Sequence, residues 1–147
     1  MAAPLRSLET APRSYVELLG LHVAAPLKVA EHVAAGLRYG SFERFRGYAA
    51  MPAAEFAELV RIPERTLARR RAAGRLEPDE SDRLVRLARI FAQALALFEG
   101  DLDGTRRWLA TPLKVLGNAA PLRAATTDPG AREVEALIGR LEHGIPS

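Results

Sequence analysis

The chain has 147 residues, of which 48% are hydrophobic and 27% are charged. This composition is typical of a globular protein, and it excludes disordered, collagen-like and membrane classes. There is no cysteine, so a disulfide framework, a thiolate nucleophile and a cysteine-bound zinc site are excluded too. His22, His32 and His143 share no metal-ligand spacing, so we expect no metal and no other cofactor.

The predicted elements are all helices. Ala, Leu, Arg and Glu dominate, and strand-like alternation of β-branched residues is missing, which predicts an all-α fold. After a loose tail over 1–13, helices are expected at 14–19, 26–38, 42–50, 52–60, 63–73, 78–99, 103–110, 112–117, 121–126 and 130–142. Ser41 is expected to cap the third helix, and Gly74 to end the fifth.

The positive charge of the chain is concentrated in one of these helices. The net charge is +3, from 21 basic and 18 acidic residues. Residues 61–75 hold six arginines and one acid, Glu64, a sum of +5, so the other 15 basic and 17 acidic residues sum to −2. A block of this kind indicates a polyanionic partner, and a solvated charged face is the alternative.

The helices predicted at 52–60 and 63–73 have the lengths and the tight turn of a helix-turn-helix. On a helical wheel Leu67 faces the core, whereas Arg65 and Arg69 lie on the opposite face. Two arginines one turn apart, with small neighbours, are able to contact guanine edges or phosphates in the major groove. The alternative is a basic helix that pairs with acids of a partner protein.

Four carboxylates, Glu77, Asp79, Glu80 and Asp82, cluster where the helix over 78–99 is predicted to begin. Acids are favoured there because they cap the helix and complement its dipole. No histidine joins them, and no nucleophile elbow, glycine-rich phosphate loop or metalloprotease motif occurs elsewhere. We therefore predict that the protein is not an enzyme, with no catalytic or metal residues and no small-molecule substrate.

The helix predicted over 78–99 is amphipathic at its start and apolar nearly all round at its end. A helix of this kind must be buried on several sides, and paired recognition helices need a two-fold dimer. A homodimer interface is therefore predicted on this helix, with the central core of a monomer as the alternative. The interface stripe consists of Leu84, Leu87, Phe91, Leu95 and Phe98.

No secretory signal is visible near the N-terminus, and the apolar run over 90–98 is much shorter than the ~20 residues that cross a bilayer. We therefore expect a cytoplasmic protein without a membrane partner. Trp108 is expected to pack in the core or at its edge.

An ordered set of short motifs runs from Arg65 to Ile145. They are Arg65-Thr-Leu-x-Arg-Arg70, Gly74-Arg-Leu76, Glu80-Ser-Asp-Arg-Leu84, Leu87-Ala-Arg89, Trp108-Leu109, Leu116-Gly117, Pro121-Leu122, Thr127-x-x-Gly130 and Val134…Leu137…Leu141-x-x-Gly144-Ile145. The set resembles the Xre/MbcA/ParS-type antitoxins of RES–Xre toxin–antitoxin pairs over residues 50–147. One departure is Asn118-Ala119-Ala120, which stands where that family often has a glycine-rich turn.

The resemblance implies a helix-turn-helix half that binds the promoter of its own operon, packed on a C-terminal helical half that captures a RES-domain toxin. Such a toxin consumes NAD⁺, and the antitoxin blocks its pocket. The division expected is a tail and short helix over 1–24, an Xre-like helix-turn-helix over 25–76, and a toxin-binding and dimerisation region over 77–147. A stand-alone helix-turn-helix repressor is the alternative function.

The resemblance and the basic block together nominate the binding residues. Those expected to contact operator DNA are Arg61, Arg65, Thr66, Arg69, Arg70 and Arg75. Those expected to contact the toxin, on the last helix and the tail after it, are Arg140, His143, Gly144, Ile145, Pro146 and Ser147.

Overall fold

The computed structural model describes residues 11–144, and this part of the chain is all-helical, as predicted. The helices are α1 (Tyr15–Leu19), α2 (Pro26–Ala35), α3 (Tyr39–Ala49), α4 (Ala53–Val60), α5 (Glu64–Ala73), α6 (Pro78–Leu97), α7 (Leu102–Leu109), α8 (Pro121–Ala124) and α9 (Asp128–Glu142), with a 3₁₀ turn at Lys114–Leu116. Between residues 11 and 144, no helix is both long and apolar enough to cross a membrane.

The start of α6 accounts for the acidic cluster. The Glu77 side chain accepts a hydrogen bond from the backbone of Glu80, and the Glu80 carboxylate accepts one from the Glu77 N–H at 2.8 Å. This reciprocal pair is a capping box, which satisfies backbone donors that the first turn leaves open. Asp79 forms an ion pair with Arg83 one turn further along. The prediction that acids cap this helix is confirmed for Glu77 and Glu80.

Helix α6 lies at the centre of the fold, where it packs against α1, α2, α4, α7, α8 and α9. In the stripe predicted to form a dimer interface, Leu84, Leu87, Phe91 and Leu95 are at most 2% exposed within a single chain. Phe98 is half-buried, with its ring 6.1 Å from that of Trp108. Assigning this stripe to a dimer interface was therefore wrong, because neighbouring helices of the same chain already cover it.

Four phenylalanines form the middle of the core. The rings of Phe42 and Phe45, on α3, contact that of Phe56, on α4, edge to face with centroids 5.1 and 4.9 Å apart. Phe45 also contacts Phe91 of α6 at 5.6 Å. Aromatic pairs of this geometry add roughly 0.5–1.5 kcal/mol to the free energy gained by burial alone. Val134 of α9 belongs to the same core cluster, so the two halves share one core.

Two α-helices begin two or three residues earlier than predicted. Helix α3 begins at Tyr39, so Ser41 lies inside its first turn rather than at its cap. The Ser41 hydroxyl donates to the carbonyl of Leu19 at 2.7 Å and joins α3 to α1. Helix α9 begins at Asp128, two residues earlier than expected, and the Thr127 side chain caps it. Gly74 ends α5 at a φ of 77°, as predicted.

The loop after the 3₁₀ turn closes without the glycine-rich turn that the resemblance implied. Asn118 takes the left-handed conformation itself, at a φ of 68°, directly after Gly117 at the same value. Asparagine tolerates this region better than most residues because its short polar side chain bonds locally. The residues on either side of the loop, Leu113 and Ala119, then pair as a single antiparallel bridge.

Candidate functional site

Helices α4 and α5 form a helix-turn-helix with a three-residue turn. Arg61 turns the chain in the left-handed conformation, at a φ of 61°. The N–H of Ile62, which is 3% exposed, then donates to the carbonyl of Ala57 at 2.9 Å. Leu67 is buried and fixes the inner face of α5 against the core, as the helical wheel predicted.

The outer face of α5 presents the arginines expected there. Arg65 and Arg69 are both exposed and lie one helical turn apart. The Arg69 guanidinium donates to the Thr66 hydroxyl at 3.4 Å, which turns it along the helix. The neighbouring Ala68 and Ala72 are exposed and small, so little stands between the helix backbone and a partner surface. This face has the shape and the charge that a DNA groove accepts.

Arg70 occupies a different environment. Its Nε and Nη2 atoms donate to the two carboxylate oxygens of Glu80 at 2.7 and 3.0 Å. The side chains of Arg70 and Glu80 are only 19% and 7% exposed. The hydrogen bonds to Glu80 raise the pKa of Arg70. The expectation that Arg70 contacts DNA is corrected, because its guanidinium holds the end of α5 on the start of α6.

The other arginines of the block have separate surroundings. The Arg61 side chain is exposed at the turn. The guanidinium of Arg71, which the sequence prediction did not select, lies 5.7 Å from the ring centre of Tyr39. Burial raises the pKa of Tyr39, whose hydroxyl donates to Glu43 at 3.0 Å. Arg75 donates to the carbonyl of Gly36 at 2.6 Å.

At the C-terminal end, α9 carries the residues expected to contact a toxin. Arg140 is half-buried, and one ring nitrogen of His143, Nδ1, lies 2.8 Å from the Gly139 carbonyl. Gly144 follows at a φ of 71°. The remaining three expected residues, Ile145, Pro146 and Ser147, lie outside the described residues.

Helix α9 is fixed to α6 by a residue that the sequence prediction missed. The Glu135 carboxylate accepts hydrogen bonds from Arg89 and Gln93, both at 3.0 Å. Nothing in the sequence separates Glu135 from the other acids of this polar helix, because its partners are more than 40 residues away. Within residues 11–144, no three His, Asp or Glu side chains come together in a way that could hold a metal ion.

The structure therefore combines a helix-turn-helix, the fold of a DNA-binding protein, with a C-terminal helical half. Two family models match it: the antitoxin Xre-like helix-turn-helix domain over residues 28–89, and the antitoxin Xre/MbcA/ParS C-terminal toxin-binding domain over 93–144. Both are antitoxin domains rather than catalytic ones, in agreement with the prediction that the protein is not an enzyme.

Curated relatives agree with both models. The chain is 36% identical over 137 residues to an antitoxin Xre of Yersinia enterocolitica, an alignment that covers 92% of this chain and 93% of the relative. It is 33% identical over 113 residues to an antitoxin Xre of Photorhabdus laumondii, covering 76% of each. An antitoxin Xre of Pseudomonas putida is 38% identical over 84 residues, 56% of this chain and 52% of that one. The chain belongs to the Xre antitoxin family.

Proposed function

We propose that the protein neutralises a RES-domain toxin by blocking the site at which that toxin consumes NAD⁺, and that it represses its own operon through α5. One observation carries the proposal: a helix-turn-helix with exposed Arg65 and Arg69 shares a chain with a matched toxin-binding domain over 93–144. The order of the motifs from Arg65 to Ile145 supports a RES-domain toxin as the partner.

The DNA-binding half of this proposal predicts a salt effect. Replacing both Arg65 and Arg69 by alanine should weaken operator binding, because each bidentate contact with a guanine contributes about 1–3 kcal/mol. Where the lost contact is with a phosphate, the plot of log affinity against log salt concentration should flatten by about 0.9 per contact. The measurement is fluorescence anisotropy with operator DNA over a salt series.

The matched control replaces Arg107 and Arg132 by alanine. Both are exposed, on α7 and α9, and the double substitution removes the same charge. The control should keep the affinity and salt dependence of the wild type. If both double variants weaken binding equally, net charge rather than α5 determines affinity, and the DNA-facing role of these arginines is rejected.

The toxin-binding half predicts an effect of the chain end. Removing residues 144–147 should weaken inhibition of the toxin, because this segment follows α9 directly and is expected to enter the pocket of the toxin. The assay measures NAD⁺ consumption by the product of the adjacent reading frame, mixed with full-length or truncated protein. The truncated chain should keep its operator affinity. Unchanged inhibition would place the contact elsewhere on the protein.

Co-expression tests the partner itself. The product of the neighbouring gene should arrest growth alone and should be neutralised by this protein. If the two neither bind nor restore growth, the antitoxin role for this pair is rejected, and a stand-alone repressor that uses the same α5 is the function left. A RES-type gene beside this one favours the first reading.

A two-fold dimer stays part of the proposal, because one recognition helix reads only one half-site of an operator. Its contact surface must differ from the α6 stripe, whose leucines are buried within one chain.

A further inference from the structure

Two arginines face each other where the segment before α3 crosses the segment after α5. Residues 37–39 and 74–76 are joined by backbone hydrogen bonds of 2.8 and 2.9 Å, one on each side of the antiparallel pair formed by Arg38 and Arg75. In this pattern the pair itself exchanges no hydrogen bond. Its Cα atoms are then only about 4.5 Å apart, and both side chains leave on the same face.

This crossing depends on Gly36. A Cβ added there would lie 2.2 Å from the carbonyl oxygen of Leu76, and the φ of Gly36 is +88°. A side chain at this position is therefore excluded both by contact and by backbone conformation. The Gly36 carbonyl accepts the Arg75 guanidinium at 2.6 Å, which fixes that side chain beside the crossing.

Within the described part of the chain, no carboxylate neutralises these two positive charges by an ion pair. Like charges directly opposite each other destabilise a paired backbone. Arg75 donates to a carbonyl rather than to a carboxylate, and neither arginine forms an ion pair with another of residues 11–144. Arg38 is exposed at the surface. An anion placed between the two guanidinium groups would remove the repulsion and accept hydrogen bonds from both.

A cavity of about 330 Å³ opens at this pair. The lining also includes His32 of α2, His22 of the loop before it, and Leu37. The residues around the cavity include two arginines and two histidines but no acid. Its charged and titratable groups are thus all of the kinds that attract an anion.

We propose that this cavity binds a phosphate group, supplied by the DNA backbone beside the bases that α5 reads. Guanidinium forks match phosphate oxygens in geometry and in charge. Arg75 lies two residues beyond Ala73, the last residue of α5, so the cavity adjoins the C-terminal end of that helix. The choice of DNA as the source rests on the proposed function, whereas the preference for phosphate rests on the cavity alone.

The test uses Arg38→Gln, which removes the charge but keeps most of the side-chain stem. The plot of log operator affinity against log salt concentration should flatten by about 0.9, the value for one lost phosphate contact. Arg38→Lys should restore the slope. Arg107→Gln, an equal charge change on α7, should leave it unchanged. An unaltered slope in Arg38→Gln overturns DNA as the source of the phosphate. The loss of operator affinity on replacing Arg65 and Arg69 by alanine then tests separately whether α5 binds DNA.

A second measurement examines the free protein. Inorganic phosphate is titrated at constant pH and ionic strength, with chloride as the reference salt, and backbone amide shifts are followed by NMR. Saturable shifts at Gly36 and Arg38 that disappear in Arg38→Gln support the site. If they occur without a change in the DNA slope, the site binds free phosphate or a small phosphorylated molecule instead. If Arg38→Gln leaves the salt slope unchanged and phosphate causes no saturable shifts, the proposal is rejected. If the wild type binds no DNA, the phosphate titration alone decides whether the cavity binds phosphate.

Discussion

Replacing Glu80 by alanine is expected to lower the free energy of unfolding by about 3 kcal/mol, the lower end of the range for breaking a buried ion pair. The substitution leaves the Arg70 guanidinium, whose side chain is only 19% exposed, without its two carboxylate partners. It also removes the acceptor for the Glu77 N–H at the start of α6. Urea denaturation should show a lower midpoint with an unchanged m value.

Asp79→Ala is the matched control, because Asp79 is another acid of the same helical turn. Its ion pair with Arg83 is 3.4 Å long and its side chain is 75% exposed, so its loss should cost less than about 1 kcal/mol. Glu80→Gln should lie between the two, since glutamine can still accept from the Glu77 N–H. Equal effects of Glu80→Ala and Asp79→Ala would contradict a special role for the Arg70–Glu80 pair.

Replacing Phe91 by alanine is expected to destabilise the fold by about 3–5 kcal/mol, the usual cost of a deleted core phenylalanine. Phe91 is 1% exposed and contacts the Phe45 ring edge to face. Because these contacts lie within one chain, the variant should keep the oligomeric state of the wild type, and its thermal midpoint should depend on protein concentration no more than that of the wild type. Calorimetry at several concentrations, with analytical ultracentrifugation, measures both properties.

Leu27→Ala is the control for this substitution. Leu27 is 79% exposed, so its truncation should change stability by no more than about 0.5 kcal/mol. A Phe91→Ala variant that departs from the expectation above would restore the dimer interpretation of α6. In that case Phe91→Ala would cause only a small loss of stability and would convert a dimer to a monomer.

The helices were predictable because their signals are local. Pro26 and Pro78 open helices, Gly74 ends one, and the spacing of Leu67 orients α5 without knowledge of any distant residue. The error over the α6 stripe has a physical reason. Periodicity tells which faces of a helix are buried, but not whether the covering helices belong to the same chain.

The candidate site was predictable only in part, because charge in a sequence gives a sign and no partner. The sequence does not distinguish Arg70 from Arg65 and Arg69. In the structure, Glu80, ten residues after Arg70, binds the Arg70 guanidinium and holds it away from the DNA-facing surface. Arg38 lies outside the basic block over residues 61–75, so the clustering of charge does not select it. Its pairing with Arg75 depends on a backbone crossing that no local pattern reports.

The two matched domains, 28–89 and 93–144, meet inside α6, which runs unbroken from Pro78 to Leu97. A helix turns by about 100° per residue, so one residue inserted between 89 and 93 would rotate the following turns by that angle. Ala94 and Leu95, now buried, would then leave the core. Chimaeras between antitoxins of this family should therefore fold only when the splice preserves helical phase, with insertions or deletions of about seven residues tolerated far better than single ones.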